Sequence, residues 1–298
     1  MKKYSSLRII ILIFMIMIVL PWNSSSGSES VVAEDLQQDE PEMDPELLVQ
    51  FTQSDSVDYF IYFDAKPDLS PAYGMSWEER GQFVYDRLTE VANRSQKEVR
   101  GYLDAQGVDY QAFWISNVIA VKSSSKAAFE GVRDFPEVQA LTTIPTVQLI
   151  EPSVRKEEST QAGITSVESN LTHINVDDVW AMGYMGTDMV VGSIDTGVHF
   201  THETLVKQYR GNEGGGIYDH AYDWWDAVNG QNEAYDDNNH GTHTVGIMVG
   251  DDGEGNQIGV APGAQWIACK GLSGSGLGSG SDLLECGEFM AAPTDLKG

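Results

Sequence analysis

Cysteine and basic residues are scarce in this chain, and their scarcity argues against certain folds, metal sites and binding partners. Two cysteines among 298 residues are too few for a disulfide-rich small fold or a thiolate zinc site. Lysine and arginine number 18 against 45 aspartates and glutamates, which gives a formal net charge of −27. Because phosphate binding needs basic patches, this balance disfavours nucleic acid and anionic membrane surfaces as partners.

A long apolar run is also missing. The longest, Ile9 to Leu20, has 12 residues, whereas a membrane-spanning helix needs about 20. Lys2, Lys3 and Arg8 precede or open this run, and a basic stretch before a short apolar one is typical of a signal peptide. The sequence therefore predicts a signal peptide over residues 1–33 and a secreted, extracellular protein. An uncleaved anchor is the alternative.

The stretch after this leader is strongly acidic. Residues 29–60 hold ten acids and no lysine or arginine. High charge of one sign with few apolar residues is typical of a solvated segment. The sequence predicts an acidic disordered spacer over residues 34–56.

Residues 57–151 have the pattern of one compact α+β unit. Apolar and aromatic residues predict strands at 57–63, 108–114, 115–121 and 138–150, with helices at 76–103 and 125–134. The order βαββαβ predicts a ferredoxin-like domain with two helices on one face of a sheet. Residues 152–169 are polar and without periodicity, which predicts an exposed linker where proteases cut.

From residue 170 to residue 298, buried strands alternate with helices. Met189 to Ile194 and Ala264 to Cys269 are continuous apolar runs, and 241–249 and 282–292 are helical. This alternation predicts a doubly wound parallel sheet of α/β class, present in part. Cys269 and Cys286 both lie here, and their spacing leaves a local disulfide and two buried thiols equally open.

Two polar residues stand where such a sheet carries its chemistry. Asp195 directly follows the run Met189 to Ile194, at the carboxyl end of a parallel strand. His240 directly precedes a helix of small residues, and the dipole of that helix disfavours the imidazolium. A carboxylate beside this ring would hold one tautomer and leave the other nitrogen free to accept a proton. An aspartate that only caps a turn is the structural alternative.

The sequence does not favour a metal centre. His199 and His202, like His240 and His243, are spaced as H-x-x-H, which alone is a weak zinc signal, and H-E-x-x-H is absent. The loop 250–257 offers Asp251, Asp252, Glu254 and Asn256. Four side-chain oxygens are too few for calcium without backbone ligands, so a structural calcium would need carbonyl help.

Together these segments resemble the subtilisin-like serine proteases, or subtilases. The resemblance rests on Asp195-Thr196-Gly197, His240-Gly241-Thr242-His243 and Ile258-Gly259-Val260-Ala261-Pro262-Gly263, in this order. It implies a serine endopeptidase in which Asp195 orients His240, the general base, and His243 is a structural helix residue. It further implies Gly276-Leu277-Gly278 as the strand that pairs with substrate backbone. Polypeptide substrates, no cofactor for the chemistry, and residues 57–151 as an inhibitory propeptide follow from the same resemblance.

The expected serine block is not found within the 298 residues. Ser273, Ser275, Ser279 and Ser281 lie in a loose Gly/Ser run, and none satisfies G-x-S-x-G. The chain alone is therefore expected to be inactive. The alternative function is that of a non-catalytic inhibitor and folding module attached to an incomplete, inactive catalytic domain. An aspartic protease is a remote alternative, because it needs two D-T-G aspartates and this chain has one.

Overall fold

The computed structural model describes residues 8–9, 40–150 and 167–296. The two larger sheets are a five-stranded sheet within residues 40–150, the first unit, and a four-stranded sheet formed by residues 167–296, the second unit, together with Arg8–Ile9. Most of the predicted signal peptide, residue 151 and residues 152–166 of the predicted linker lie outside the described residues. Within the described ranges, no helix is both long enough and apolar enough to cross a membrane.

After β1 (Arg8–Ile9), the elements of the first unit are β2 (Glu42–Met43), α1 (Pro45–Gln53), β3 (Ser56–Phe63), a 3-10 turn (Ser70–Gly74), α2 (Trp77–Ser95), α3 (Lys97–Gln106), β4 (Asp109–Phe113), β5 (Val118–Ser125), α4 (Lys126–Val132) and β6 (Val138–Thr143). Its five-stranded sheet has the order β2-β6-β3-β5-β4. Strand β3 is antiparallel to both β5 and β6, β4 is antiparallel to β5, and β2 is parallel to β6.

The two faces of this sheet bury different neighbours. Side chains alternate along a strand, so Tyr59 and Ile61 of β3 point to one face and Phe60 to the other. The first face packs against the helices, with Val99 and Leu103 in the same core. The second face, around Phe60, packs against Leu284 of the second unit.

The predicted acidic disordered spacer is wrong from residue 40 onward. Residues 45–53 form α1, whose first N–H groups are capped by Asp44, with Glu46 N donating to Asp44 Oδ1 at 2.9 Å. Leu47 and Phe51, four residues apart on one helix face, are buried in the core of the first unit. Acids on the exposed side are compatible with a packed helix, because only one stripe has to be apolar. Residues 34–39 lie outside the described residues.

Three other predicted elements are interrupted. The single helix predicted over 76–103 divides at Gln96, whose side-chain amide donates to Phe113 O and to Asn117 Oδ1. The strand predicted from Ile115 begins only at Val118. The strand predicted over 138–150 separates into β6 and β7 (Thr146–Gln148), and β7 pairs with the second unit.

The second unit contains a parallel sheet in the order β1-β8-β12-β11. Strand β1 is the two-residue segment Arg8–Ile9, which pairs with Met189 and Val190. The other elements are α5 (Ser169–His173), α6 (Val176–Ala181), β8 (Met189–Asp195), β9 (Asn212–Gly214), β10 (Ile217–Tyr218), β11 (Trp224–Asp226), α7 (His240–Val249), β12 (Gln265–Lys270), β13 (Leu277–Ser279) and α8 (Gly280–Ala291).

Helices cover both faces of this parallel sheet, as predicted for the α/β class. On one face, Val245 and Val249 of α7 share a core with Trp266 of β12. On the other, Phe289 and Met290 of α8 pack against the sheet. Cys269 and Cys286 form a disulfide that ties α8 to β12, with 5.5 Å between their Cα atoms. The alternative of two buried thiols is thereby excluded.

The structured α1 gives a stability prediction with a control on the same helix. Leu47→Ala should lower the free energy of unfolding by about 2–5 kcal/mol, since it leaves a cavity at a fully buried site. Leu48→Ala should change it by less than about 0.5 kcal/mol, because Leu48 is 46% exposed. Urea unfolding of the chain measures both. Equal midpoints for the two variants would mean that α1 does not contribute to the core.

Candidate active site

Asp195 is the last residue of β8, at the carboxyl end of the parallel sheet. It is buried, with 7% of its surface exposed. Its Oδ1 accepts a hydrogen bond from Thr196 N at 2.7 Å. Functional groups of parallel α/β sheets gather at this edge, so the strand delivers the carboxylate to the region where a ligand would bind.

His240 is the first residue of α7, and its ring faces Asp195. His240 Nδ1 lies 2.8 Å from Asp195 Oδ1 and 2.9 Å from Asp195 Oδ2. The expected contact between these two residues is therefore present. A carboxylate can only accept, so Nδ1 carries the proton in this bond, and in the neutral ring the lone pair is then on Nε2. The two side chains are 24% and 10% exposed, so the ring is accessible while the carboxylate is nearly covered.

Thr244 is a third member of this group that the sequence interpretation did not include. Its hydroxyl lies 3.2 Å from Asp195 Oδ2 and 3.0 Å from the backbone oxygen of His240. It stands four residues after His240, which puts both residues on the same face of α7. This spacing is the signal from which its position was predictable.

Two glycines allow the strand end and the helix start to meet. Gly197 has φ of +111°, and a Cβ there would lie 1.9 Å from Tyr235 O. A Cβ on Gly241 would lie 2.1 Å from Gly197 O and 3.1 Å from the Cβ of Asp195. No side chain fits at either position. The backbones near Asp195 and His240 therefore approach closely only because residues 197 and 241 are both glycine.

The other histidines do not join the pair. His243 is exposed on α7, which is at odds with a structural role for its side chain. His199 Nε2 contacts Asn239 Oδ1 at 3.1 Å, and His202 Nδ1 contacts the Thr204 hydroxyl at 3.0 Å. In the described ranges, no three His, Cys, Asp or Glu residues are grouped to hold a metal ion.

The loop 250–257, where a structural calcium would need carbonyl help, directs two carboxylate oxygens to its own backbone. Asp251 Oδ1 accepts from Gly253 N at 2.9 Å, and Asp252 Oδ1 accepts from Glu254 N at 2.8 Å and from Asn256 N at 3.2 Å. The bonds to the residue two positions on are typical of Asx turns, in which the side chain completes a turn of the chain. Asp251 Oδ2 lies 3.7 Å from Lys207 Nζ.

Gly276, Leu277 and Gly278 lie at the edge where the first unit meets the second. Strand β13 pairs antiparallel with β7, with Gly278 opposite Val147 and Leu277 opposite Gln148. Leu149 N also donates to Gly276 O at 2.7 Å. The predicted substrate-binding strand therefore already holds an extended segment of the same chain through main-chain hydrogen bonds.

The serines of the neighbouring Gly/Ser run bond among themselves or to the backbone. Ser273 and Ser275 hydroxyls are 2.9 Å apart, and Ser279 caps α8 by accepting from Asp282 N. Among the described residues, no serine hydroxyl is hydrogen-bonded to His240 Nε2.

The parallel sheet, with Asp195 at a strand end and His240 at a helix start, agrees with the resemblance to the subtilisin-like serine proteases. Residues 186–292 match the model of the Subtilase family, so this part of the chain is identified with that family. Bacillopeptidase F of Bacillus subtilis (strain 168) is 40% identical over 227 residues, 72% of this chain and 16% of that protein.

Two further relatives carry their activity or location in their names. The minor extracellular protease Vpr of the same strain is 30% identical over 155 residues, 51% of this chain and 18% of that protein. The halolysin-like extracellular serine protease Nep of Natrialba magadii is 30% identical over 120 residues, 40% of this chain and 21% of that protein. The chain thus spans about a fifth or less of the length of these relatives.

The close approach at Gly241 can be tested with a second glycine of the same helix. Gly241→Ala should destabilise the chain by more than about 2 kcal/mol, because its Cβ meets backbone oxygen that cannot move aside. Gly246→Ala should stabilise it by up to about 1 kcal/mol, since a Cβ there meets nothing within 4 Å and alanine favours helix. Chemical unfolding of both variants gives the comparison. Similar effects of the two substitutions would contradict the close packing at Gly241.

Proposed function

We propose that this chain carries the aspartate and histidine of a secreted serine endopeptidase that hydrolyses peptide bonds by acyl transfer. The contact between Asp195 and His240 Nδ1 is the observation that supports this function most strongly. Asp195 and His240 are the proposed catalytic residues. The nucleophilic serine would come from outside residues 1–298, so the chain alone would not complete the reaction.

The proposed chemistry follows from the ring's two nitrogens. Nδ1–H bonded to Asp195 leaves Nε2 as the base that takes the serine proton during attack on the carbonyl carbon. The resulting imidazolium is stabilised by the adjacent carboxylate and then gives its proton to the leaving amine. The start of α7 disfavours a positive ring, so Asp195 has to offset the helix dipole as well. This chemistry requires no cofactor.

Polypeptides are the proposed substrates, bound in extended form at the edge of β13. Gly276, Leu277 and Gly278 would pair with substrate backbone as they pair with β7. Adding a strand to an open edge supplies main-chain hydrogen bonds whatever the sequence of the peptide. Residues 146–149 then occupy the substrate's place, which is the arrangement of an intramolecular inhibitor.

The first unit is the proposed inhibitory propeptide. Its strands β3, β4, β5 and β6 lie in the order β6-β3-β5-β4 with helices packed on one face, which supports a ferredoxin-like domain. We place its start near Glu42 rather than residue 57, because β2 pairs with its sheet and α1 packs into its core. Cleavage within residues 152–169 would separate it from the second unit.

Export is proposed from the basic and apolar leader at residues 1–33, whose removal would also remove the two-residue edge strand β1 from the parallel sheet. The Cys269–Cys286 disulfide supports it, because disulfides persist in oxidising compartments. The word extracellular in the names of two relatives points the same way.

An inhibitor and folding module without activity is the second candidate for residues 1–298 taken alone. The occupied edge of β13 favours this candidate, since a substrate would have to displace β7. The two candidates predict different behaviour once a serine-bearing segment is supplied.

Substitution of His240 tests the protease assignment, with His243 as the matched control on the same helix. In a longer form of the protein that includes a serine block, His240→Ala should lower peptide hydrolysis by about 10³-fold or more and stop release of the first unit. His243→Ala should leave both unchanged, because that side chain is exposed. Phenylmethylsulfonyl fluoride should inhibit the longer form, and pepstatin should not.

Residues 1–298 alone should hydrolyse no peptide in the same assay. Inhibitor-sensitive hydrolysis by the purified chain would refute the proposal that the serine lies elsewhere. A longer form with unaltered activity after His240→Ala would refute the Asp/His assignment itself.

The contact between the two units should depend on pH through Glu288 of α8. Its Oε1 accepts from Trp114 N at 2.5 Å and Ile115 N at 3.1 Å. Burial raises the pKa of Glu288 from 4.5 to about 7 and nearby Glu285 adds to the shift, although the two N–H donors act against it. The docked state therefore binds a proton that an undocked, solvated Glu288 would release. Docking is strongest below about pH 4.5 and weakens as pH rises through 7.

Hydrogen exchange at the Trp114 and Ile115 amides measures this dependence. After correction for the intrinsic rate, protection should fall between about pH 5 and pH 8 in the unaltered chain. Glu288→Gln should remove most of the slope, because its side chain stays neutral. Glu98→Gln, at an exposed site of the first unit, is the control and should keep the slope. Protection that rises with pH would contradict the predicted direction.

A further inference from the structure

Asp236 is a buried carboxylate that lies behind the Asp195–His240 pair and is not itself part of it. Only 4% of its surface is exposed. Its Oδ1 accepts from the Thr196 hydroxyl at 2.9 Å, Asn238 N at 3.0 Å and Asn239 N at 2.9 Å. Its Oδ2 accepts from Thr242 N at 2.9 Å and from the Thr242 hydroxyl at 2.6 Å. Both oxygens are thus fully engaged.

These donors come from the two segments that have to meet at the site. Thr196 directly follows Asp195, and Thr242 is the third residue of the helix that His240 begins. The Thr196 hydroxyl also accepts from Gly241 N at 3.0 Å, so it links Asp236 to the residue after His240. The Asp236 carboxylate and the Thr196 hydroxyl therefore join the end of β8 to the first turn of α7.

The helix start needs such a partner because its own cap does not provide one. Asn239, the N-cap of α7, has φ of +81° and its side chain accepts no bond from the first turn. The unpaired N–H groups of a helix start are usually satisfied by a side chain of the cap residue. Here Asp236 accepts from Thr242 N instead. A carboxylate at this end also interacts favourably with the helix dipole.

We propose that Asp236 is a positioning residue, which holds the Asp195 turn and the His240 helix start in the arrangement that lets Asp195 bond to His240 Nδ1. The inference rests on the proposed function, in which that bond prepares His240 as the base. Burial acts to raise the pKa of Asp236, but the hydrogen bonds from Thr242, Asn239 and Asn238 outweigh it and keep the pKa below the usual value. The carboxylate therefore remains ionised and accepts from all of its donors.

Substitution of a second buried aspartate, Asp226, distinguishes a positioning role of Asp236 from a general effect on folding. Asp226 is 6% exposed and accepts from Val228 N, Asn229 N, Gln231 N and the Tyr235 hydroxyl. It organises the turn after β11, and its side chain hydrogen-bonds neither to Thr196 nor to α7. Asp226→Asn and Asp236→Asn thus remove the same charge from similarly buried networks, of which only one reaches the pair.

The first readout is spectroscopic and uses residues 1–298. The hydrogen-bonded Nδ1 proton of His240 should give a downfield NMR signal that His240→Ala removes. Asp236→Asn should shift or broaden this signal, because its amide nitrogen cannot accept from the Thr196 or Thr242 donors. Asp226→Asn should leave it in place, even where both variants lose comparable stability. An unchanged signal in folded Asp236→Asn would overturn the proposal.

Thr196 provides an independent pair should Asp236→Asn fail to fold. Thr196→Val keeps the shape but removes the hydroxyl that bridges Asp236 and Gly241, and it should alter the His240 signal. Thr196→Ser keeps a hydroxyl and should give the same His240 signal as the unaltered chain. Equal signals in the valine and serine variants would also overturn the proposal.

The second readout is catalytic and uses the longer form that includes a serine block. Asp236→Asn should lower kcat by about 10- to 100-fold with KM changed less than about 2-fold, since small misplacement of a catalytic group costs rate more than binding. Asp226→Asn should stay within about 2-fold of the unaltered enzyme. If Asp236→Asn is fully active while His240→Ala is inactive, the positioning role of Asp236 is refuted and the proposed function is not. Retained activity in His240→Ala would refute the proposed function, while the NMR comparison would still decide the role of Asp236.

Discussion

The candidate active site depends on one contact, the hydrogen bonds from His240 Nδ1 to the Asp195 carboxylate. The two residues are 45 positions apart on different elements, so a strand end and a helix start have to be brought together and held. Glycines at 197 and 241 permit the approach, since a side chain at either position would overlap backbone atoms. Polar groups behind the pair then determine how closely the ring and the carboxylate face each other.

The main elements of the site were predictable from the sequence because their signals are local. An apolar run before Asp195 and small residues after His240 predicted β8 and α7 to within one residue of their observed bounds. Functional residues of parallel sheets lie at the carboxyl ends of the strands, and this rule predicted that Asp195 belongs to the site. Asp236 had no such signal. It lies in a run of Asp and Asn whose composition is typical of a solvated loop, and only tertiary structure shows that its carboxylate is buried.

The average charge of residues 34–56 led to a prediction of disorder that is wrong from residue 40 onward, because a few apolar positions determine the fold there. The segment before β3 is acidic overall, yet a helix needs only one apolar stripe, and Leu47 with Phe51 provides it. The disulfide is a related case. A spacing of 17 residues did not distinguish bonded from free cysteines, because the answer depends on how α8 lies against β12. Local pattern predicts elements well, whereas contacts between elements depend on packing.

Helix α8 contacts both units through different side chains. Cys286, Phe289 and Met290 pack against the sheet, and β12, to which the disulfide ties the helix, is paired with β8 so that Lys270 lies opposite Asp195. Glu285 Oε2 and Glu288 Oε1 accept from Gln111 and from Trp114 N of the first unit, while Glu285 Oε1 also accepts from Trp225 Nε1 of β11. Departure of the first unit would break the bonds to Gln111 and Trp114 but leave the disulfide, the packed apolar side chains and the Trp225 bond in place. The strand beside Asp195 would then keep its position while the edge of β13 became open to an extended peptide.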